Sequence, residues 1–145
     1  MARVSTYLNF PRTTEEAFGF YRSVFHTEFA GPIVRFREMP VAPGQPLLAE
    51  EDKDLVLHVE LPILGGHVLM GTDASESMGF TVTSGNNVYI NLEPDSRPET
   101  DRLFAALAVG GAVEVPLQEM FWGGYFGSLT DRFGIHWMVN CASRT

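Results

Sequence analysis

The feature that most constrains the fold is a repeated segment in which a four-residue strand is followed by a helix. Tyr7-Leu8-Asn9-Phe10 and Tyr89-Ile90-Asn91-Leu92 lie 82 residues apart. A capping box follows each strand, Thr13-x-x-Glu16 after the first and Ser96-x-x-Glu99 after the second, and these boxes lie 83 residues apart. Similarity at nearly the same offset indicates internal duplication. The sequence therefore predicts two copies of one strand–helix unit.

Each copy continues into three further strand-like segments. They span residues 32–38, 55–61 and 67–71 in the first copy, and residues 113–120, 125–129 and 135–141 in the second. The pattern predicts an α+β fold of two tandem βαβββ modules. The expected boundaries are about 1–76 for module one and about 85–145 for module two, within a single domain of residues 1–145. The long connections 40–54 and 72–86 are candidate lids or binding loops.

Alternation along the strands predicts which side chains face the helices. Those expected beneath the helices are Leu8, Phe10, Val88, Ile90 and Leu92. Those expected on the opposite face are Tyr7, Asn9, Tyr89 and Asn91. In the segment 55–61, Leu55, Leu57, Val59 and Leu61 are expected to face away from Val56, His58 and Glu60.

Charge and cysteine content restrict the partners. Ten basic and eighteen acidic side chains give a net charge of −8, which disfavours nucleic acid as a partner. No apolar run is long enough to span a bilayer, and the segment 1–10 lacks the apolar stretch of a signal peptide. Cys141 is the only cysteine and lies in an apolar run, which predicts a buried thiol. We therefore expect a cytoplasmic protein without membrane partners.

The tandem βαβββ pattern resembles the vicinal oxygen chelate (glyoxalase/bleomycin-resistance) superfamily, and in particular its PhnB-like branch. The first marker is the segment 7–10, followed by Glu16-Ala17 and Phe20-Tyr21. The second marker is Gln118-Glu119-Met120-Phe121-Trp122-Gly123, followed by Gly127, Asp131, Phe133-Gly134 and Trp137. The likeness spans essentially the whole chain.

The resemblance implies a curved mixed sheet, or half-barrel, that encloses a groove, with the helices on its convex side. It also implies that the chain forms a homodimer. Many PhnB-like sequences are labelled demethylubiquinone methyltransferases. However, this chain has no glycine-rich strand–turn–helix segment to hold a methyl-donor cofactor, so the residues do not support that label.

Metal-using members of the superfamily take one ligand from the first and one from the fourth strand of each module. The matching positions here are Ser5, Met70, Asn87 and Met138, with Thr6 as the alternative to Ser5. Two neutral thioethers stand where carboxylates are expected, at symmetric positions of the two modules, and they are poor ligands for hard divalent ions. The prediction is a degenerate site that takes no metal cofactor.

Histidines offer a competing interpretation. His58 and Glu60 share a strand face and are a candidate for part of another metal site. His136 is expected on the face of Met138 and Asn140, either as a groove acid or base or as an ordinary rim residue. Hydrogen-bonded surface histidines are the simpler expectation for all four.

The predicted groove is aromatic, methionine-rich and sparsely charged, which suits an apolar or amphipathic organic ligand. Its expected lining comprises Tyr7, Asn9, Met70, Tyr89, Asn91, Gln118, Trp122, His136 and Met138, and Phe126 is expected to help close one side. Trp122 and Trp137 are expected to be packing or dimer-contact residues rather than ligand stackers, and an alternative for Tyr7 and Tyr89 is that they plug a filled groove. The favoured function is metal-free sequestration of an apolar or cationic small molecule. The alternative is a metal-dependent lyase, isomerase or dioxygenase of the same superfamily.

Overall fold

A computed structural model describes every residue of the chain except Pro46 and Ser143. The chain divides into two compact units, residues 1–83 and residues 84–145. Each unit contains one α-helix and one four-stranded mixed sheet, in the predicted order βαβββ. The α+β fold with duplicated modules is therefore confirmed.

Unit 1 begins with strand β1 (Thr6–Phe10) and helix α1 (Thr14–Phe25). It continues with β2 (Val34–Arg35), β3 (Val56–Pro62) and β4 (Val68–Asp73). The strand order is β1-β4-β3-β2, in which β1 pairs with β4 in parallel and the other pairs are antiparallel. The segment predicted as one strand over 32–38 keeps only two strand residues, because a 3₁₀ turn begins at Phe36.

Unit 2 contains β5 (Ile90–Leu92) and helix α2 (Arg97–Ala108). They are followed by β6 (Ala112–Glu119), β7 (Tyr125–Thr130) and β8 (His136–Cys141). The order β5-β8-β7-β6 repeats that of unit 1, again with one parallel pair, β5 with β8. Consequently β5 and β6 are the two edge strands of this sheet.

The core of each unit lies between its helix and one face of its sheet. Phe18 and Tyr21 of α1 are fully buried, as are Leu103 and Leu107 of α2. Trp137 is fully buried too, and its indole Nε1 donates to Asp131 Oδ2 at 2.8 Å. Trp137 is therefore a packing residue, and the Cys141 thiol is buried as predicted.

The two helices begin differently although their sequences look alike. At α2 the Ser96 side chain accepts a hydrogen bond from the Glu99 amide at 3.3 Å, as the capping box predicts. At α1 the Thr13 side chain makes no capping bond. Instead, Asp73 at the end of β4 accepts from the Thr14 amide at 3.1 Å and from the Val56 amide at 2.8 Å. A buried carboxylate on a distant strand thus replaces the predicted cap of α1.

Two face assignments are wrong. Val88 is 71% exposed, because β5 starts only at Ile90 and Val88 precedes the sheet. Val56 is buried with Val59 and Leu61, whereas Leu57 is only partly buried. The cause is an irregular register between β2 and β3, which interrupts the alternation near His58.

A cluster of ion pairs links the two long connections of unit 1 to the segment between β1 and α1. Arg12 Nη1 lies 2.8 Å from the buried Asp52 carboxylate and Arg12 Nη2 lies 2.9 Å from Glu76. Ser77 also hydrogen-bonds Asp52. These contacts tie the 3₁₀ turns Glu50–Asp52 and Glu76–Met78 to the segment between β1 and α1. Within the described part of the chain, neither helix is long and apolar enough to cross a membrane.

Candidate ligand-binding site

The face of each sheet that lies opposite its helix is here called the open face. In unit 1 the open face can be identified at Gly71, because a Cβ added there would lie 2.4 Å from Phe18 Cε1 of α1. Its neighbour Met70 therefore points to the other side, and it pairs in register with Tyr7. Tyr7 and Asn9 are exposed and alternate with the buried Leu8 and Phe10. Strand alternation thus places the predicted residues Tyr7, Asn9 and Met70 together.

A concavity of about 480 Å³ lies beside this part of unit 1. It is lined by Tyr7, Leu8, Asn9, Ala74, Phe80, Thr81, Val82 and Thr83. The second long connection therefore contributes to the concavity, as expected for a binding loop, and Phe80 places an exposed ring there. Only Tyr7 and Asn9 of this lining were predicted from the strand pattern.

Ser5 and Met70, the two degenerate metal positions of unit 1, lie next to each other. The Ser5 hydroxyl donates to the Met70 thioether sulfur at 3.8 Å. The two side chains are thus hydrogen-bonded to each other. Neither supplies the negative charge or the imidazole that a catalytic divalent ion usually requires.

The open face of unit 2 can be identified in the same way at Gly127, where a Cβ would lie 2.8 Å from Phe104 of α2. Phe126 and Ser128 therefore point away from the helix. Strand register places Asn91 beside Met138 and Met138 beside Ser128. Two residues further along β8, Asn140 pairs with Phe126, and Phe126 in turn pairs with Gln118. The predicted residues Asn91, Gln118 and Met138 thus share one face.

Tyr89 extends across the open face of unit 2. Its ring centroid lies 5.1 Å from that of His136, and its hydroxyl lies 3.1 Å from both carboxylate oxygens of Glu114. Tyr89 directly precedes the edge strand β5, whereas Glu114 belongs to the opposite edge strand β6. The Glu114 carboxylate accepts a hydrogen bond from the phenol, and this hydrogen bond raises the pKa of Tyr89.

Both ring nitrogens of His136 are engaged. Nε2 lies 2.6 Å from the carbonyl oxygen of Gly85, which can only accept, so Nε2 carries a proton. Nδ1 lies 2.8 Å from the Thr130 hydroxyl. In neutral His136, Nδ1 therefore accepts from Thr130. This arrangement makes His136 a positioned hydrogen-bonding residue of the open face and leaves no ring nitrogen available for a metal.

Trp122 lies in the hairpin between β6 and β7 and stays 55% exposed. Its ring packs edge-on against Phe126, with the centroids 6.3 Å apart. Gly124 allows this approach, because a Cβ there would lie 2.6 Å from Trp122 Nε1. Beside it is a concavity of about 310 Å³, to which Asn140 and Arg144 also contribute. Trp122 thereby extends the aromatic part of the open face.

The degenerate metal positions of unit 2 do not repeat those of unit 1. Leu8 pairs with Gly71, but its counterpart Ile90 pairs with Trp137. By this register the neighbour of Tyr89 that corresponds to Met70 is His136, not Met138. The two methionines therefore occupy different positions, which corrects the predicted symmetry. Asn87 is exposed and precedes β5.

The residues present do not fit a metal centre. Ser5 bonds to Met70, His136 has both nitrogens engaged, and Asn87 and Met138 are neutral. Among the described residues there is no group of three or more His, Cys, Asp or Glu side chains able to hold a metal ion. His58 and Glu60 approach to 3.7 Å, but Glu60 also lies 3.6 Å from Arg3, whose positive charge opposes cation binding.

Glu114 is the residue on the open face of unit 2 whose contact with Tyr89 was not predicted from the sequence. The register of β6 with β7 is irregular between Val113 and Val115 and again between Val115 and Gln118, so simple alternation does not reveal the position of Glu114. Its contact with Tyr89 depends on the order of four strands, which the pattern does not reveal.

Comparison with known proteins agrees with this description. The family model described as 3-demethylubiquinone-9 3-methyltransferase matches residues 2–140. Protein YjdN of Escherichia coli K12 is 30% identical over 142 residues, covering 94% of this chain and 93% of YjdN. The structure of PA1353 from Pseudomonas aeruginosa is 34% identical with a TM-score of 0.82, covering 97% of this chain and 98% of that one.

Further structures are more distant. A Bacillus cereus PhnB protein, described as a 3-demethylubiquinone-9 3-methyltransferase, is 27% identical with a TM-score of 0.75, covering 97% of this chain and all of that one. A glyoxalase/bleomycin resistance protein/dioxygenase family enzyme from Burkholderia phytofirmans is 19% identical with a TM-score of 0.62, covering 95% and 98%. At that identity the likeness concerns the fold alone.

Proposed function

This chain belongs to the 3-demethylubiquinone-9 3-methyltransferase family, the PhnB-like branch of the vicinal oxygen chelate superfamily, and from that premise we propose that it binds a small organic molecule without a metal. The ligand is apolar or cationic. The observation that carries this proposal is the composition of the two open faces. They combine aromatic rings, methionines and amides, while the positions that hold metal ligands in the superfamily carry residues that bind each other or are neutral.

The lining suits recognition of an organic body by contact and a few hydrogen bonds. Tyr7, Trp122 and Phe80 are substantially exposed, so apolar ring surface is available to a ligand. Met70 and Met138 adapt their shape to what they contact. Asn9 and Asn91 are exposed amides that both donate and accept. Such a combination is typical of small-molecule sites.

Methyl transfer has no support in the residues of this chain. The connection from β1 to α1 is Pro11–Arg12–Thr13 and contains no glycine. In addition, the buried Asp73 carboxylate already accepts from the first amide of α1. An anionic group of a nucleoside-type cofactor would be repelled at this helix end.

The same proposal includes the assembly and the setting. We propose a single domain, residues 1–145, that pairs as a homodimer, since two-fold dimers are the commonest kind of homo-oligomer. Sedimentation velocity distinguishes a monomer from a dimer of this 16.1 kDa chain. The buried thiol of Cys141 suits a reducing cytoplasm.

The experiment that tests binding is native mass spectrometry of the purified protein, followed by identification of the released mass. The paired variant Tyr89→Ala/Asn91→Ala removes one aromatic and one amide from unit 2. We expect it to lose the retained compound while its thermal unfolding stays cooperative. Equal retention by the folded variant would reject the open face of unit 2 as the site.

The alternative is a metal-dependent lyase, isomerase or dioxygenase. It requires a divalent ion held by residues other than Ser5, Met70, Asn87 and Met138. Stoichiometric binding of such an ion to the purified chain would favour this alternative over the proposal.

A further inference from the structure

We propose that Glu114 recognises charge, and that the open face of unit 2 binds an amphipathic organic monocation whose ammonium group replaces the Tyr89 hydroxyl as partner of the Glu114 carboxylate. This inference deepens the proposed function and rests on it. Three observations carry it: Glu114 has no ion-pair partner among the described residues, its hydrogen bond with Tyr89 is long, and aromatic rings lie on the same face.

Glu114 is a carboxylate without a cationic partner among the described residues. Two other carboxylates of unit 2 are ion-paired, Glu99 with Arg102 at 2.7 Å and Glu119 with Arg97 at 3.1 Å. On the open face of unit 1, Glu60 lies 3.6 Å from Arg3. Glu114 instead accepts from the neutral phenol of Tyr89. Its negative charge is therefore uncompensated within the site.

The bond from Tyr89 to Glu114 has the geometry of one that exchanges easily. The hydroxyl lies 3.1 Å from each oxygen, so it is shared between two acceptors and is long. Charge-assisted O–H···O⁻ bonds are usually about 2.5–2.7 Å. Elsewhere in the same unit, Tyr125 donates to Asp101 at 2.6 Å. An ammonium group, which carries a full charge and several donors, is a stronger partner for Glu114 than this phenol.

The aromatic rings on the open face of unit 2 suit the body of such a ligand. The Tyr89 ring, whose hydroxyl contacts Glu114, packs 5.1 Å from the His136 ring. Phe126 and Trp122 lie further along the same face, where Phe126 pairs with Gln118. Aromatic faces attract cations within about 6 Å. Trp122 also leaves apolar surface exposed for an aromatic or alkyl body. One carboxylate among aromatic rings matches one positive charge on an apolar skeleton.

A set of three probes with one carbon skeleton tests the inference. The probes are 4-phenylbutylamine, 4-phenylbutanol and 4-phenylbutyrate, which are cationic, neutral and anionic at pH 7. Calorimetry and tryptophan fluorescence give their affinities for the full chain. We expect the amine to bind about tenfold more tightly than the alcohol, and the acid most weakly.

Two variants and a control assign the effect to the Glu114 pair. Glu114→Gln is expected to make the affinities for amine and alcohol equal. Tyr89→Phe removes the competing hydroxyl but keeps the ring, so it is expected to bind the amine more tightly than the natural chain does. Glu119→Gln changes the net charge by the same amount on the same strand, and it is expected to keep the preference for the amine.

Each outcome separates the two proposals. If amine and alcohol bind equally to the natural chain, or if Glu114→Gln keeps the preference for the amine, the role of Glu114 is refuted while binding of small molecules stands. Weaker binding of the amine to Tyr89→Phe contradicts the proposed exchange. If none of the three probes binds, this inference fails, and the proposed function fails with it for ligands of this class.

Discussion

The hydroxyl of Tyr89 and the carboxylate of Glu114 join the two edges of one four-stranded sheet by a hydrogen bond across its open face. The Tyr89 ring consequently covers His136, whose nitrogens hold the Thr130 hydroxyl and the Gly85 carbonyl. The floor of the site in unit 2 is thus built from hydrogen bonds within this chain. These side chains position one another.

The Tyr89–Glu114 bond predicts an altered titration of one tyrosine. Ionising Tyr89 places a phenolate beside a carboxylate, so the pKa of Tyr89 is raised above its ordinary value of about 10. In Glu114→Gln we expect the pKa of Tyr89 to fall towards that value, as followed by its ring resonances in NMR spectra across alkaline pH. Glu119→Gln serves as the control and leaves Tyr89 unchanged. An unaltered Tyr89 titration in Glu114→Gln would show that the bond does not form in solution.

Asp131 is predicted to be the most sensitive polar residue of unit 2. It is buried and accepts from Trp137 Nε1 and from the amides of Phe133 and Ile135, at 2.8, 2.8 and 3.1 Å. Asp131→Ala leaves these donors without this acceptor, and we expect a loss of about 3 kcal/mol in the free energy of unfolding. Urea denaturation measures it. Asp131→Asn keeps one acceptor oxygen and should lose less, and an equal loss in both variants would contradict the stated cause.

Two glycines of unit 1 are predicted to respond in opposite ways to alanine. At Gly71 a Cβ would lie 2.4 Å from the buried Phe18 ring, so Gly71→Ala should lower the free energy of unfolding by about 1–3 kcal/mol. At Gly19, within α1, nothing lies within 4 Å of such an atom. Gly19→Ala should therefore raise the free energy of unfolding by about 0.5–1 kcal/mol. Thermal unfolding of both variants tests the packing of α1 on β4, and a neutral Gly71→Ala would contradict it.

The contacts of Asp52 predict that the free energy of unfolding depends on pH. Its hydrogen bond from Ser77 and its contacts with Arg12 lower the pKa of Asp52 below the ordinary value of about 3.9. Because the folded pKa is lowered, the stabilisation is complete above the unfolded pKa and is lost as the pH falls through the folded pKa. In Asp52→Asn the free energy of unfolding should be smaller at neutral pH and decline less below pH 4. Glu51→Gln, at the exposed neighbouring residue, should keep the decline of the natural chain.

The sequence predicted the order of strands and helices better than it predicted contacts between residues distant in the chain. The repeat of strand and helix was visible because the segments 7–10 and 89–92 share a local alternation and a following cap. The cap of α1 was not visible in the sequence, since Asp73 lies 59 residues from Thr14 and only folding brings them together. The burial of Val56 follows from an irregular register with β2, which no local pattern encodes.

The site shows the same division. Alternation placed Tyr7, Asn9 and Met70 on one face because their strands are regular. The family resemblance assigned Met138 as the counterpart of Met70, whereas the pairing of β5 with β8 gives that position to His136. Register between strands distant in sequence is set by packing of the whole unit, so it could not be read from either strand alone.

The most direct test of the central claim is a calorimetric titration of the purified, chelator-treated protein with Mn²⁺, Ni²⁺ and Zn²⁺. The donor set around Ser5, Met70, Asn87, His136 and Met138 predicts no stoichiometric binding of any of the three ions. It also predicts the same thermal midpoint with and without each ion. Tight binding of one ion per chain, accompanied by a raised thermal midpoint, would contradict the account.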